Sequence, residues 1–245
     1  MSKWPFVYTY WGGGAVGDEL LFSVRSIMHW HPDAEIVIVG DRPDWFTGEV
    51  IDCPRIKPRE FHAFQDCYHK LRAVAEQIPQ FIWMMDDIYW VQQFDIAEAI
   101  TPKYVRHVSQ HRFNAWKPPN TWARTRHRAY DWLLRNNYPT YDFAGHLPQP
   151  IRAATFLQME RKLQLADYYR NWECIYFNMH HAREAIDYGR AYTRVTRAQK
   201  RGWSPSRGCI LNHTSSTYKG GVRDFLARTF STPCALEANT KEQVA

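Results

Sequence analysis

Cysteine is scarce and scattered: Cys53, Cys67, Cys174, Cys209 and Cys234, with no Cys-x-x-Cys pair in 245 residues. An odd, widely spaced set argues against a disulfide frame or a zinc ribbon, and for reduced thiols in a cytoplasm. No apolar run reaches the roughly 18 to 20 residues needed to span a bilayer, so no transmembrane segment is expected. No cationic stretch followed by an apolar one and a small-residue cleavage site opens the chain, so secretion is not expected. Gly12-Gly13-Gly14 with Gly17 lacks the Gly-x-Gly-x-x-Gly spacing of a dinucleotide-binding turn, and no Gly-Lys-Ser/Thr follows it to make a P-loop. Such a loop either leaves room for a ligand or stays flexible. Internal repeats, low-complexity blocks and linkers are missing too.

What is present can bury a core. Hydrophobic residues make up 45% of the chain, enough for one large domain or a core with an appended lobe. Aromatic residues reach 16%, with eleven Trp, which suits stacking surfaces in a cleft as well as core filling. The net charge is +6, and the surplus cations gather between Lys117 and Arg135 and between Arg183 and Arg207. That balance favours a polyanionic partner (nucleotide, nucleic acid or anionic lipid); the plainer alternative is a solvated basic surface.

Residues 6–10 predict a short strand ending at Trp11 and the glycine run. Asp18 and Glu19 open a helix in which Leu21, Val24, Ile27 and Met28 recur at the helical period until Pro32 stops it. Residues 35–41, aliphatic and closing on Gly40-Asp41, predict a buried parallel strand, so the opening reads as a β-α-β unit. Residues 50–53 predict a short strand, 68–78 a helix closed by Pro79, and 81–85 a buried strand. Strands alternating with helices indicate an α/β domain with a mainly parallel sheet. Ligands bind at the carboxyl ends of such strands, where Tyr8, Thr9, Tyr10, Trp11, Asp41 and Asp86-Asp87 all gather. Further on, 104–108 predicts a strand, 121–136 a basic aromatic helix, 141–150 a loop, 151–165 a helix, 209–213 a strand and 224–230 a short helix before a frayed tail.

The chemistry centres on one stretch. Phe81-Ile82-Trp83-Met84-Met85 runs into Asp86-Asp87 before apolar character resumes at Ile88-Tyr89-Trp90. Acids at the end of a buried strand are costly unless a cation meets them. Hard carboxylate oxygens suit Mg or Mn carrying phosphate oxygens. The plainer reading has Asp86 capping the next helix and Asp87 solvated. Lys70 and Arg72, on the preceding helix, are placed to pair with Asp86 or to reach a diphosphate as a point charge or a fork. A solvated helix face is the alternative, and Tyr68 and Leu71 beside Lys70 favour that lysine. His107 and His111 stand four apart, but no Glu follows the first, so a zinc-protease helix is not expected. His180-His181 carries no decisive pattern. His213 closes a strand and precedes Thr214-Ser215-Ser216, whose backbone N–H groups suit phosphate. Ordinary turn hydrogen bonding accounts for His213 equally well.

Tyr8-Thr9-Tyr10-Trp11, then Gly17-Asp18-Glu19-Leu20 with Ser23-Val24-Arg25-Ser26-Ile27, then Ile36-Val37-Ile38-Val39-Gly40-Asp41 with Pro43 and Trp45, resemble the opening of GT-A-fold glycosyltransferases. The likeness is greatest to small phage and bacterial members related to the Stealth sugar-phosphate transferases. Lys70-Leu71-Arg72 followed by Trp83-Met84-Met85-Asp86-Asp87 is similar to their DXD-type metal and nucleotide-sugar site. His146-Leu147-Pro148 resembles a His-x-Pro element, and residues 229–237 resemble a terminal pattern of the phage-type proteins. The likeness runs in order over most of residues 5–237 and is strong only up to about residue 90. The usual motif is Asp-x-Asp or Asn-Asp-Asp, whereas here Met85 precedes Asp86-Asp87.

The resemblance implies a GT-A-like (Rossmann-like) α/β domain over 1–237, mainly parallel and flanked by helices, followed by a tail at 238–245. Residues 1–110 would form the nucleotide-sugar half and 111–237 a helical acceptor half. It implies Mn or Mg held by Asp87, with His213 as a further ligand and Asp86 facing ribose or metal. The donor would be a nucleoside-diphosphate sugar, UDP-linked, framed by Tyr8, Thr9, Tyr10, Trp11 and Asp41, with Lys70 and Arg72 toward its diphosphate. An acceptor hydroxyl would attack the anomeric carbon. An inverting enzyme needs a base there, for which Asp142 and His146 are the candidates, each with a plainer role as turn former or loop brace; a retaining enzyme does not. The basic helix with Trp122, Arg124, Arg126, Arg128 and Trp132 suits a phosphate backbone. The first acceptor expected is therefore a hydroxymethylated pyrimidine in double-stranded phage DNA, flipped out to be reached. Transfer to a surface glycan and transfer of a sugar 1-phosphate are alternatives. A non-catalytic nucleotide- or nucleic-acid-binding module on the same fold is another. The expected location is the cytoplasm of a bacterium or a phage-infected host.

Overall fold

The computed structural model describes residues 4–55, 62–109, 120–163, 170–206 and 208–238; His111, Lys117, Arg207 and the tail from 239 lie outside them. In chain order, β1 (Phe6–Tyr10) leads through a turn at Gly12–Gly14 into α1 (Glu19–Trp30), β2 (Ile36–Gly40), β3 (Glu49–Ile51), α2 (His62–Ala75) and β4 (Gln80–Met84). Then come β5 (Ile88–Trp90), α3 (Ile96–Ala99), β6 (Lys103–Tyr104), α4 (Thr121–Arg135), β7 (Gln149–Arg152) and α5 (Ala153–Leu163). The last elements are α6 (Trp172–His180), β8 (Ile186–Asp187), β9 (Tyr192–Val195), β10 (Ile210–His213) and α7 (Arg223–Thr229).

The main sheet has the order β3-β2-β1-β4-β7. Its first four strands run parallel, and β7 lies antiparallel against β4. Successive residues point to opposite faces of a strand, and both faces are packed. Val7, Val37, Val39, Phe81 and Trp83 meet α2, α4, α5 and α6. Phe6, Tyr8, Ile36, Ile38, Ile82 and Met84 meet α1 and the strands beyond Asp87. This two-sided burial is why β1, β2 and β4 read as unbroken apolar runs. A second sheet, β5-β10-β9, packs across α1, and a two-stranded pair, β6-β8, completes the set among the described residues. No helix among them is long and apolar enough to cross a membrane.

Most of the expected elements appear within a residue or two. Three differences stand out, two of them with clear causes. Residues 149–152, expected as the end of a loop and the start of a helix, form β7, and the helix begins at Ala153. Pro150 has no N–H to donate, and a strand that pairs on one side only tolerates it. The helix expected at 68–78 begins at His62. Helix α6 is absent from the sequence reading because it has no polar face to give it a period: Trp172, Cys174, Ile175, Tyr176 and Phe177 are all buried.

Candidate functional site

The carboxyl ends of β1, β2 and β4 meet at Tyr10, Gly40 and Met84, and each strand hands on a polar or aromatic residue. After β2 the exposed Asp41 accepts a hydrogen bond from the Gly12 N–H (2.9 Å), which ties the glycine turn to the next strand end. The turn folds back over Trp11, and a Cβ on Gly13 or Gly14 would come within 2.6 Å of that indole. Trp11 is 36% exposed, and the Arg55 guanidinium lies 3.3 Å from its ring centroid. Its ring is stacked by Arg55 and stands partly exposed beside the strand ends.

Lys70 is buried directly beneath. Its ammonium donates to the Tyr10 carbonyl (2.6 Å) and pairs with Asp66 (2.7 Å) one helical turn away. Gly40 makes this possible: at φ +117° a Cβ would stand 2.1 Å from the Tyr10 oxygen and 2.7 Å from the lysine Cε. Lys70 therefore braces β1 against α2 and is not paired with Asp86. Arg72 projects away from the strand ends and pairs with Glu76 (3.4 Å) and Glu160 (3.7 Å) on the outer side of α2.

Tyr8 belongs to the core, not to a nucleoside cradle. It is fully buried, and its hydroxyl shares a 2.9 Å hydrogen bond with Ser23 Oγ. Its tyrosine hydroxyl is held protonated far above the usual range by burial. Thr9 points to the other face, where Trp83 Nε1 donates to its Oγ1 at 3.2 Å. Tyr10 is half-buried over the site, with its pKa raised by burial and by Asp86, Asp41 and Glu19.

Asp86 and Asp87 follow β4 and differ in state. Burial, then the charges of Asp87 and Glu19, push Asp86 up to about 7. Burial also pushes Asp87 upward, but the His146 imidazole, its hydrogen bond, His213 and Arg194 together hold Asp87 below the ordinary carboxylate range. His146 Nδ1 stands 2.9 Å from Asp87 Oδ2. Burial lowers the His146 pKa, and the charge and hydrogen bond of Asp87 outweigh it, for a net rise. The other carboxylate oxygen, Asp87 Oδ1, is buried without a hydrogen-bond partner. His146 itself holds a left-handed backbone conformation, φ 51°, which is uncommon outside glycine. Asn212 on β10 fastens this turn by donating to the carbonyls of Gly145 (3.3 Å) and His146 (2.8 Å).

His213 sits on the opposite face of β10 with no exposed side-chain surface, 3.5 Å from Glu19. Both ring nitrogens are engaged: Nε2 lies 2.9 Å from the Tyr89 hydroxyl and Nδ1 lies 3.1 Å from the Thr214 carbonyl. Asp87 and Glu19 both lie within its electrostatic reach. Among the described residues no group of three His, Cys, Asp or Glu side chains is arranged to hold a metal ion.

Asp142 is buried, and its Oδ2 is gripped by Arg126 and by Arg106 (3.0 Å). This ion pair ties the strand-end segment before His146 to α4, so Asp142 acts here as a brace. The same helix turns Trp122 and Trp132 against the core, while Arg124 and Arg128 stay exposed. Sequence reasoning missed Glu173, in the first turn of α6. It is 5% exposed, it neighbours His146, Asp142 and Arg126, and burial pushes its carboxyl up to about 8. It also missed Glu19, whose buried carboxylate accepts from the Val16 N–H (2.8 Å) and faces His213. The only sequence signal for Glu173 is an acid inside an otherwise apolar run.

Among solved structures, the fold is similar to an active-site mutant of LgtC (8% identity, TM-score 0.47, covering 97% of this chain and 98% of that one). It is similar to the glycosyltransferase GlyE of Streptococcus pneumoniae TIGR4 (12%, 0.39, 76% of this chain and 45% of that one). It is also similar to mouse xyloside xylosyltransferase 1 in its apo form (12%, 0.42, 88% and 99%). At these identities the likeness concerns fold alone. No protein-family model matches the chain, and neither does any curated protein.

Proposed function

We propose that the chain is a glycosyltransferase of GT-A type that takes a nucleoside-diphosphate sugar as donor and passes the sugar to an acceptor hydroxyl. The observation that carries this reading is the state of Asp87 at the carboxyl end of β4. One of its oxygens is held by His146 and the other is buried and unanswered, beside a second carboxyl pushed up to about 7. A buried polar atom without a partner is costly, and an acid-rich crevice at parallel strand ends is where a cation and a diphosphate are accommodated.

Mn or Mg fits this donor set, because Asp87 Oδ1 and the Asp86 carboxyl are hard oxygen ligands. Such an ion would neutralise charge on the leaving diphosphate. The chain's own groups do the rest. Trp11, partly exposed and stacked by Arg55, stands at the strand ends where a nucleoside base would lie, and Asp41 at the neighbouring strand end fixes the loop that carries it. His146, whose pKa Asp87 raises against the pull of burial, is placed beside the diphosphate end of the site, where its imidazolium form would stabilise a departing anion. Asp142 has its charge met by two arginines, so Glu173 is the nearby carboxyl best suited to proton traffic near neutral pH. UDP is the first nucleotide to test. Titration of UDP into the protein with and without Mn should give saturable, metal-dependent binding that Asp87→Asn abolishes. Metal-independent binding that survives the substitution would overturn the reading.

A further inference from the structure

The β9 side of the site carries an exposed cation that makes no direct salt bridge among the described residues. In the parallel β9–β10 register Arg194 is paired with Asn212. Neighbouring strands lie about 4.8 Å apart, and paired residues share a face. Asn212 uses that face to hold the carbonyls of Gly145 and His146. Arg194 therefore stands beside the His146 turn, and its charge reaches both Asp87 and His146. It is exposed, and among the described residues no salt bridge or side-chain hydrogen bond engages it, while Asp87 is the carboxylate its charge reaches. His213 and Glu19, on the α1 side, occupy the other face of β10.

A second guanidinium is close. Arg106 is 58% exposed and shares the single oxygen Asp142 Oδ2 with Arg126. Tyr192, two residues before Arg194 on β9, feels Arg194, Asp142, Arg106 and Arg126 together, which puts the four charges in one neighbourhood. Asp142 is the carboxylate in direct contact with Arg126 and Arg106, and Arg194 adds an exposed guanidinium with no salt bridge of its own among the described residues, next to Asp87.

We propose that Arg194, assisted by Arg106, forms a subsite for a single anionic group, phosphate in size and charge, on the acceptor. The inference deepens the glycosyltransferase reading and rests on it for the identity of the second substrate. A guanidinium grips phosphate oxygens as a planar fork, which an ammonium cannot reproduce. Arg194 is a positioning residue: it orients the acceptor and takes no part in bond making. Two local guanidinia suit one anionic group, not a long run of phosphates.

The test titrates inorganic phosphate into the intact protein saturated with UDP and Mn, and compares Arg194→Gln and Arg194→Lys. The expected result is saturable phosphate binding that weakens at least about tenfold in Arg194→Gln, recovers in part in Arg194→Lys, and leaves UDP affinity within about twofold. Thermal melting of the variants should match the parent, because the side chain is exposed. Phosphate binding indifferent to Arg194 overturns the proposal, and so does UDP affinity falling in step, which would give the cation to the donor. Affinity for a double-stranded oligonucleotide that falls while phosphate binding stays constant also overturns it. If the parent protein binds no UDP, the same titration without UDP still tests the anion subsite, and only the glycosyltransferase reading fails.

Discussion

His146 Nδ1 and Asp87 Oδ2 are 2.9 Å apart, although 59 residues separate them in the chain. The imidazole comes from a turn held in a left-handed conformation, and the carboxylate comes from the end of the central strand β4. Backbone strain of this kind costs of order 1–3 kcal/mol and persists only where the surroundings enforce it. Here Asn212 enforces it through two carbonyls.

Removing the imidazole should release Asp87 from the influence that holds it low. In His146→Ala the Asp87 pKa rises, so the acidic limb of the pH profile for donor turnover moves to higher pH. Turnover at neutral pH is expected to fall by roughly a hundredfold. A pH series of kcat/KM on the parent and the variant checks both statements. An unmoved acidic limb would show that His146 does not set the state of Asp87.

Lys70 is structural. Lys70→Met removes the ammonium that pairs with the buried Asp66 and the donor to the Tyr10 carbonyl. Breaking a buried pair on one side costs about 3–5 kcal/mol. Urea denaturation should show a loss of that order.

Asp142 separates two roles by experiment. As the anchor of Arg126 and Arg106, its replacement by Asn should cost stability, about 3–5 kcal/mol, and leave the shape of the pH–rate profile unchanged. Loss of the basic role would appear instead as a missing limb in the profile with normal melting, and would restore Asp142 as a catalytic base.

Glu173 ties stability to pH. Its folded-state pKa is raised from 4.5 to about 8 by burial. The folded protein therefore holds a proton that the unfolded chain releases between those values. The contribution is fully present below about 4.5 and is lost as pH rises through about 8. Stability should fall across that window in the parent and fall less in Glu173→Gln, with the variant the more stable of the two at the alkaline end. Denaturant midpoints measured at pH steps across the window test the sign.

The sequence showed the strand ends more clearly than what faces them. Tyr10, Asp41 and the Asp86-Asp87 pair could be placed together because β1, β2 and β4 are apolar on both faces and end in sharply polar residues. The partners of those residues come from positions with no local signal. His146 reaches Asp87 through a turn whose conformation no periodicity foretells, and Asn212 supports it from a strand in another sheet. Tyr8 is expected at the ligand because it lies near a strand end in sequence, and Lys70 because its partly buried helix precedes the acid-bearing strand. Period two sends Tyr8 into the core, and the glycine at 40 lets Lys70 pack under the backbone. Glu173 stayed hidden because α6 is buried all round, and Arg72 faces outward because it lies two positions from Lys70 on a helix.

The central claim is that Asp87 serves a diphosphate-bearing donor. Its most direct test is release of nucleoside diphosphate from a panel of nucleoside-diphosphate sugars in the presence of Mn, with the parent protein beside Asp87→Asn. The expected result is slow release from at least one donor by the parent, reduced at least roughly a hundredfold in a variant that melts normally. No release from any donor, or equal release by the two proteins, would contradict it.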